Sequence, residues 1–273
     1  MKLGYIDYLN CYPYYHHMFE RRPLESAQVV PGYPSALNRM MMANELDMSP
    51  ISAAAYTDME DDVVLLPEFC LSSVGYVHSV ILVSLVPIED LHGKKVGLSS
   101  ASKTSVVLLK MLLKRYYAIE PYFIDTDPNP KLKEGTLDAA LIIGNEAMQQ
   151  GISPYTYDLG DLWLRRTGFP VVFAVFAVRT AIIPAYKDRI DAVIASYHAS
   201  LDLLAKERQD LIAQARRRYP DIHYDVDSYY RTLQYTFSPS LREALRFYFD
   251  KAGDLGLLRQ VGPIRFYEGS SRA

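Results

Sequence analysis

The sequence predicts an α/β protein of two lobes with a cleft between them, and three observations carry this. Over the first 180 residues, short apolar runs alternate with helical patterns, the rhythm of a parallel or mixed sheet covered by helices. A self-contained α/β unit lies between two long apolar runs, residues 77–83 and 170–176, both rich in β-branched and aromatic side chains. After Thr180 the pattern is helical only. An α/β lobe, a second one inserted into it and a helical return imply two crossing strands, with the cleft as the natural place for a ligand. The expected boundaries are 1–83 with 176–273 for the first lobe and 84–175 for the second.

The elements follow in order. Residues 3–8 read as a strand and 14–20 as a helix. Pro34 opens a second helix, because its missing N–H costs nothing in a first turn. Leu37, Met40, Met41 and Asn44 continue it at helical spacing. Residues 48–51 and 63–69 are extended. In the inserted unit, 95–98, 122–124 and 139–143 are strands and 104–117 a helix. Ile190, Ile194, Tyr197 and Leu201 mark one late helix; Leu241, Leu245, Tyr248 and Phe249 mark another, entered through Ser238-Pro239.

Composition narrows the function. Lys+Arg 29 against Asp+Glu 32 gives a net charge of -3, which leaves no basic surplus for a nucleic-acid backbone. The two cysteines, Cys11 and Cys70, have no metal-ligand spacing and read as reduced, packed thiols. Asp7 and Asn10 interrupt the only apolar stretch near the start, so neither a signal peptide nor a membrane span is expected, and a soluble, cytoplasmic protein is. The dinucleotide, P-loop, zincin and nucleophile-elbow motifs are absent. His16 and His17 are adjacent on a helix and diverge, unlike a metal pair at i,i+4; no metal and no cofactor are expected.

Three segments suit a small anion. Ser99-Ser100-Ala101-Ser102-Lys103-Thr104-Ser105 precedes an apolar helix, where free N–H groups and a partial positive charge accept a carboxylate or phosphate. Ordinary N-capping explains the same residues. Tyr33-Pro34-Ser35 repeats the device, and Thr167-Gly168-Phe169-Pro170 turns the chain into the second crossing strand. Two helix starts on different lobes would accommodate a dianion across the cleft. Tyr5, Tyr8, Tyr12, Tyr14 and Tyr15 crowd the first strand and loop, as pocket or as packing.

Several of these segments together resemble one family. They are Gly4-Tyr5-Ile6-Asp7-Tyr8-Leu9-Asn10 with Pro13, Gly32-Tyr33-Pro34-Ser35-Ala36-Leu37, Glu45-Leu46-Asp47, Ser49-Pro50-Ile51-Ser52, and Ser73-Val74-Gly75-Tyr76-Val77-His78-Ser79-Val80. Ser102-Lys103-Thr104-Ser105, Ile142-Ile143-Gly144, Tyr157-Asp158-Leu159-Gly160 with Trp163, and Thr167-Gly168-Phe169-Pro170 complete the set. In this order, over residues 3–178, the chain resembles the chorismate dehydratases of the futalosine route to menaquinone. The resemblance implies a periplasmic-binding-protein-like fold of the second type, used as a hydro-lyase. Water leaves chorismate to give 3-[(1-carboxyvinyl)oxy]benzoate, without cofactor or metal.

The resemblance puts Asn10 and Ser79 at the reacting centre. It gives Ser102, Thr104 and Ser105 to one substrate carboxylate and Ser35 and Ser52 to the opposite lobe. Asn145, Thr167, Gly168 and Phe169 complete the implied binding set. No matching motif supplies a general base, so the substrate's enolpyruvyl carboxylate is expected to take the proton. Asn145 stands where an Asp often follows Ile-Gly in the family, and Asn44 where a Gly precedes Glu45. Two alternatives remain. A 1,4-dihydroxy-6-naphthoate synthase shares the implied fold but begins with a Ser-Pro-Cys-Pro-Asn-type opening, whereas this chain has Tyr-Leu-Asn. A cytoplasmic solute-binding or sensor domain for a small carboxylate would use the same fold.

Overall fold

A computed structural model describes residues 1–151 and 153–269. Its eleven strands form two mixed sheets. The strands are β1 (Lys2–Ile6), β2 (Gln28–Gly32), β3 (Met48–Ser52), β4 (Val63–Ser73), β5 (Val80–Ser84), β6 (Lys95–Ser99), β7 (Tyr122–Thr126), β8 (Ala139–Ile143), β9 (Tyr155–Asp158), β10 (Val171–Arg179) and β11 (Leu233–Thr236). The first sheet has the order β11-β4-β10-β3-β1-β2, and the second β7-β6-β8-β5-β9. Parallel pairs occur where a helix intervenes, as in β1 with β2 and β3, and in β6 with β7 and β8. The pairs of β10 with β3 and β4, and of β5 with β8 and β9, are antiparallel.

Strand pairing puts the crossings earlier than the sequence suggests. All of β5 pairs within the second sheet and all of β10 within the first. The chain therefore passes between sheets at residues 74–79 and 168–170, in bends rather than in continuous strands. His78 takes φ 62 in the first bend and Gly168 φ 76 in the second. Backbone in this region turns too sharply for strand, and β-branched residues on either side resume pairing at once. The chain after Thr180 is also not wholly helical: β11 pairs antiparallel with the edge strand β4. Four residues, Leu-Gln-Tyr-Thr, are too few to display a period in sequence.

Asn44, the departure from the family's Gly, sits at φ 60 just past the helix Pro34–Met42. Asn is the non-glycine residue best suited to that left-handed position, which explains why the exchange is tolerated. Four of the five clustered N-terminal tyrosines are packing residues. Tyr5, Tyr12, Tyr14 and Tyr15 are buried in the first lobe, where Tyr14 lies against Phe176, Tyr197 and Tyr235 with centroids 4.6, 5.5 and 5.3 Å away. Tyr8 alone of the five lines the cleft.

The lobes are tied by more than their crossings. The helix Pro239–Asp254 packs against both β10 of the first sheet and the second-lobe helix Lys103–Met111, where the Tyr248 hydroxyl donates to the Thr104 carbonyl at 2.9 Å. Phe247 stacks on Phe169 with centroids 4.2 Å apart. One buried core runs through both lobes as a result.

Candidate active site

The cleft lies where the carboxyl end of β1, the end of β3, the 74–79 bend and the helix Lys103–Met111 converge. About 470 Å³ of empty space lies in it, open solvent at its mouth included. Tyr8, Asn10, Ser52, Ser79, Ser102 and Ser105 supply its polar lining, and Ile6, Leu71, Val77, Val80, Ile143, Phe173 and Leu233 most of the apolar wall. Among the described residues, no Lys, Arg, His, Asp or Glu lines it. The polar groups of the lining are hydroxyls and one side-chain amide.

Both expected reacting-centre residues are present and near each other. Ser79 is 1% exposed, and its Oγ accepts a hydrogen bond from the Tyr229 hydroxyl at 2.7 Å. Its carbonyl accepts the Gly144 N–H at 2.7 Å, which pins the bend to the second lobe. The Asn10 side chain interacts with the same Tyr229 hydroxyl. Asn10 Oδ1, Ser52 Oγ and the Tyr8 hydroxyl are buried cleft atoms without a hydrogen-bond partner in the protein. Buried polar atoms left unpaired cost stability, and three converging on one cleft mark a site built for a polar ligand.

Ser102 is the N-cap of the helix Lys103–Met111, its Oγ accepting the Ser105 N–H at 3.4 Å, while Ser105 Oγ donates to Ser102 Oγ at 3.3 Å. The cap uses one of the first-turn donors, and both Ser102 and Ser105 line the cleft at this helix start. The two helix starts do meet. The Ser35 N–H donates to the Ala101 carbonyl at 3.0 Å, joining the lobes beside Pro34, which lines the cleft in place of Ser35.

Other expected residues lie elsewhere. The Thr104 hydroxyl donates to the Phe173 carbonyl and accepts the Ala54 N–H, both at 3.0 Å, so it locks three segments together and has no proton left to give a carboxylate. Thr167, Gly168 and Phe169 form a helix C-terminal turn outside the cleft. Thr167 Oγ1 donates to the Trp163 carbonyl and accepts the Phe169 N–H, and the Phe169 ring is spent on Phe247. Asn145 is at the mouth, where its Oδ1 accepts the Leu9 N–H at 2.9 Å and braces the loop that carries Asn10. An Asp at this position would accept the same bond.

Tyr229 was not singled out by sequence, and Tyr8 only as one of five clustered tyrosines open to a pocket or a packing role. The Tyr8 ring forms part of both the cleft and its mouth, and its hydroxyl is near Glu146, which accepts from Tyr33 at 3.1 Å. Burial, then the Glu146 charge, push the Tyr8 phenol well above its ordinary pKa, so it stays a donor. Tyr229 comes from the helix Val226–Thr232, 150 residues from Ser79 in sequence, and no local pattern distinguishes it among 22 tyrosines. The local signal for Tyr8 is its place just after β1 and two residues before Asn10.

Comparison with known proteins settles the family. A family model described as menaquinone biosynthesis matches residues 1–254. The chain belongs to this family. A chorismate dehydratase from Thermus thermophilus is 31% identical over 239 residues, covering 79% of this chain and 82% of that protein. A crystal structure of an Archaeoglobus fulgidus protein superposes with a TM-score of 0.75 at 18% identity, covering 94% of this chain and 98% of the other. The alkanesulfonate-binding protein of Xanthomonas axonopodis pv. citri, solved with MOPS, gives 0.63 at 14% identity, with 97% of both chains covered. The fold is periplasmic-binding-protein-like, as the resemblance implied. Among the described residues, no helix is long and apolar enough to cross a membrane.

Proposed function

We propose that the protein is a chorismate dehydratase, a hydro-lyase that converts chorismate to 3-[(1-carboxyvinyl)oxy]benzoate on the way to menaquinone. The observation that carries this reading is the cation-free cleft in which Asn10 and Ser79 meet at one hydroxyl beside a helix start. Family membership and the Thermus relative support it.

The chemistry asks little of the side chains. The ring carboxylate lies at the start of the helix Lys103–Met111, against Ser102, Ser105 and the first-turn N–H groups. These donors stabilise the charge that spreads onto it as the proton leaves the ether-bearing carbon. The neighbouring carbon then expels its hydroxyl, and the ring becomes aromatic. No Asp, Glu, His or Lys side chain lines the cleft among the described residues, so the enolpyruvyl carboxylate of the substrate takes the proton. Held against the reacting carbon, it needs alignment more than a tuned pKa. Asn10 and Ser79 hydrogen-bond the departing hydroxyl and the ether side of the ring, and Tyr8 donates from the mouth. The apolar wall keeps bulk water from the developing charge.

The deciding experiment mixes purified protein with chorismate, with no cofactor or metal added, and follows ultraviolet absorbance and product mass. Loss of one water with a new benzenoid spectrum is expected. Saturable binding without turnover would overturn the reading in favour of a solute-binding or sensor protein.

A further inference from the structure

The helix Val226–Thr232 carries two consecutive buried tyrosines, and each reaches a different part of the cleft. The Tyr230 hydroxyl donates to the Leu9 carbonyl at 3.0 Å, immediately before Asn10. The Tyr229 hydroxyl donates to Ser79 Oγ at 2.7 Å. The helix is fixed from outside the cleft: Asp225 caps it through the Asp227 and Ser228 N–H groups, and Arg208 pairs with Asp227. One short helix thus registers two segments that are far apart in sequence.

Counting protons gives the Tyr229 bond a direction. A phenol has one proton, and Tyr229 spends it on Ser79. The Asn10 amide interacts with the same oxygen, and Asn10 Oδ1 has no partner, so the amide nitrogen is the group that approaches Tyr229. Within the protein, Ser79's own proton has only the Val77 carbonyl, at a long 3.4 Å. With one lone pair occupied by Tyr229, the Ser79 hydroxyl is left to donate into the cleft.

We propose that Tyr229 is a positioning residue: its hydroxyl makes Ser79 a hydrogen-bond donor toward substrate oxygen and leaves Asn10 Oδ1 free as the complementary acceptor. This rests on the dehydratase reading. The donor acts on the departing hydroxyl, whose negative charge grows in the transition state, so the effect belongs to kcat and not to ground-state affinity. Burial holds the Tyr229 phenol protonated throughout the neutral range, as the arrangement requires.

The test is a double-mutant cycle with Tyr229→Phe, Ser79→Ala and both together. Single-turnover rates with enzyme in excess, followed by product mass, keep slow variants measurable. Calorimetric Kd for 3-[(1-carboxyvinyl)oxy]benzoate reports the ground state. Tyr229→Phe is expected to slow the reaction about tenfold or more, with Kd and KM changed less than about twofold. In the Ser79→Ala background the same substitution is expected to change the rate less than about twofold, because there is no hydroxyl left to orient. Tyr230→Phe, which breaks the neighbouring bond to backbone, is the structural control, with a loss that is similar in both backgrounds. A Tyr229→Phe rate equal to wild type, or an equal loss with and without Ser79, would overturn the inference. A wild-type protein that does not turn over chorismate would instead sink the dehydratase reading itself.

Discussion

The Asp158 carboxylate accepts the backbone N–H of His78 at 2.7 Å, one residue before Ser79. It accepts the Val77 N–H at 3.0 Å as well, and through Oδ1 those of Gly160 and Asp161, capping the helix Leu159–Thr167. A single side chain thus fixes a helix start and the bend that presents Ser79. His78 holds its left-handed φ of 62 under this restraint, its ring between those of Tyr76 and Tyr224.

Asp158→Ala leaves up to four N–H groups without their acceptor. A loss of about 2–4 kcal/mol in stability is expected, since a cap and a buried network go together. Activity should fall further than stability explains, because Ser79 loses its register. Urea unfolding beside kcat on the same preparations checks both parts, and Asp158→Asn, which keeps one carbonyl oxygen, should fall between wild type and Ala.

Asn10→Ala and Ser79→Ala are expected to fold normally and lose about a hundredfold or more in turnover. Asn10 Oδ1 is unpartnered, so its removal should change stability by less than about 1 kcal/mol. Near-wild-type turnover in both variants would show that the reacting centre lies elsewhere in the cleft.

Gly144→Ala tests the wall between cleft and mouth. Gly144 has φ 65, and a Cβ there would collide with the Tyr8 ring. Both the backbone conformation and the displaced ring oppose the substitution, at about 1–3 kcal/mol. The same displacement moves the Tyr8 hydroxyl, so KM for chorismate should rise in whatever fraction remains folded. Thermal unfolding and steady-state kinetics measure the two effects.

His16 makes stability depend on pH. Its ring nitrogens are buried without partners, and the ring lies edge-on to Tyr12. Burial lowers its pKa below the usual histidine value. In this range the unfolded chain binds the proton more readily than the folded one, so His16's contribution is intact above the unfolded pKa near 6.5 and is lost as pH falls toward the lowered folded value. His16→Phe should therefore flatten the decline in stability below neutral pH; an unchanged slope would show that His16 protonates freely in the folded state.

Much of the fold is visible in local sequence because strand and helix periods are local properties. The helices entered at Pro34 and Pro239 and the strands at 48–52, 95–99 and 139–143 lie where periodicity and turn chemistry put them. The site divides differently. Ser102 and Ser105 could be found because a helix start announces itself by short polar residues before an apolar run. Thr104 belongs to the same run, yet its hydroxyl turns to Phe173 and Ala54, and nothing in the run distinguishes it from its neighbours. The turn at 167–169 shows the same limit: its residues fit a ligand loop and a helix stop equally well, and the stacking of Phe169 on Phe247 comes from a helix some eighty residues later.

By itself, then, the sequence determined the alternation of elements, the two helix starts and the short motifs that identify the family, because each depends on residues within a few positions of one another. Only the tertiary structure decided which polar atoms pair within the protein and which remain for a ligand. Tyr229 meets Ser79 across 150 residues and Tyr230 meets Leu9 across 221, so both contacts exist only after distant parts of the chain have packed. Burial and pairing are properties of what surrounds an atom, and those surroundings are assembled from the whole chain.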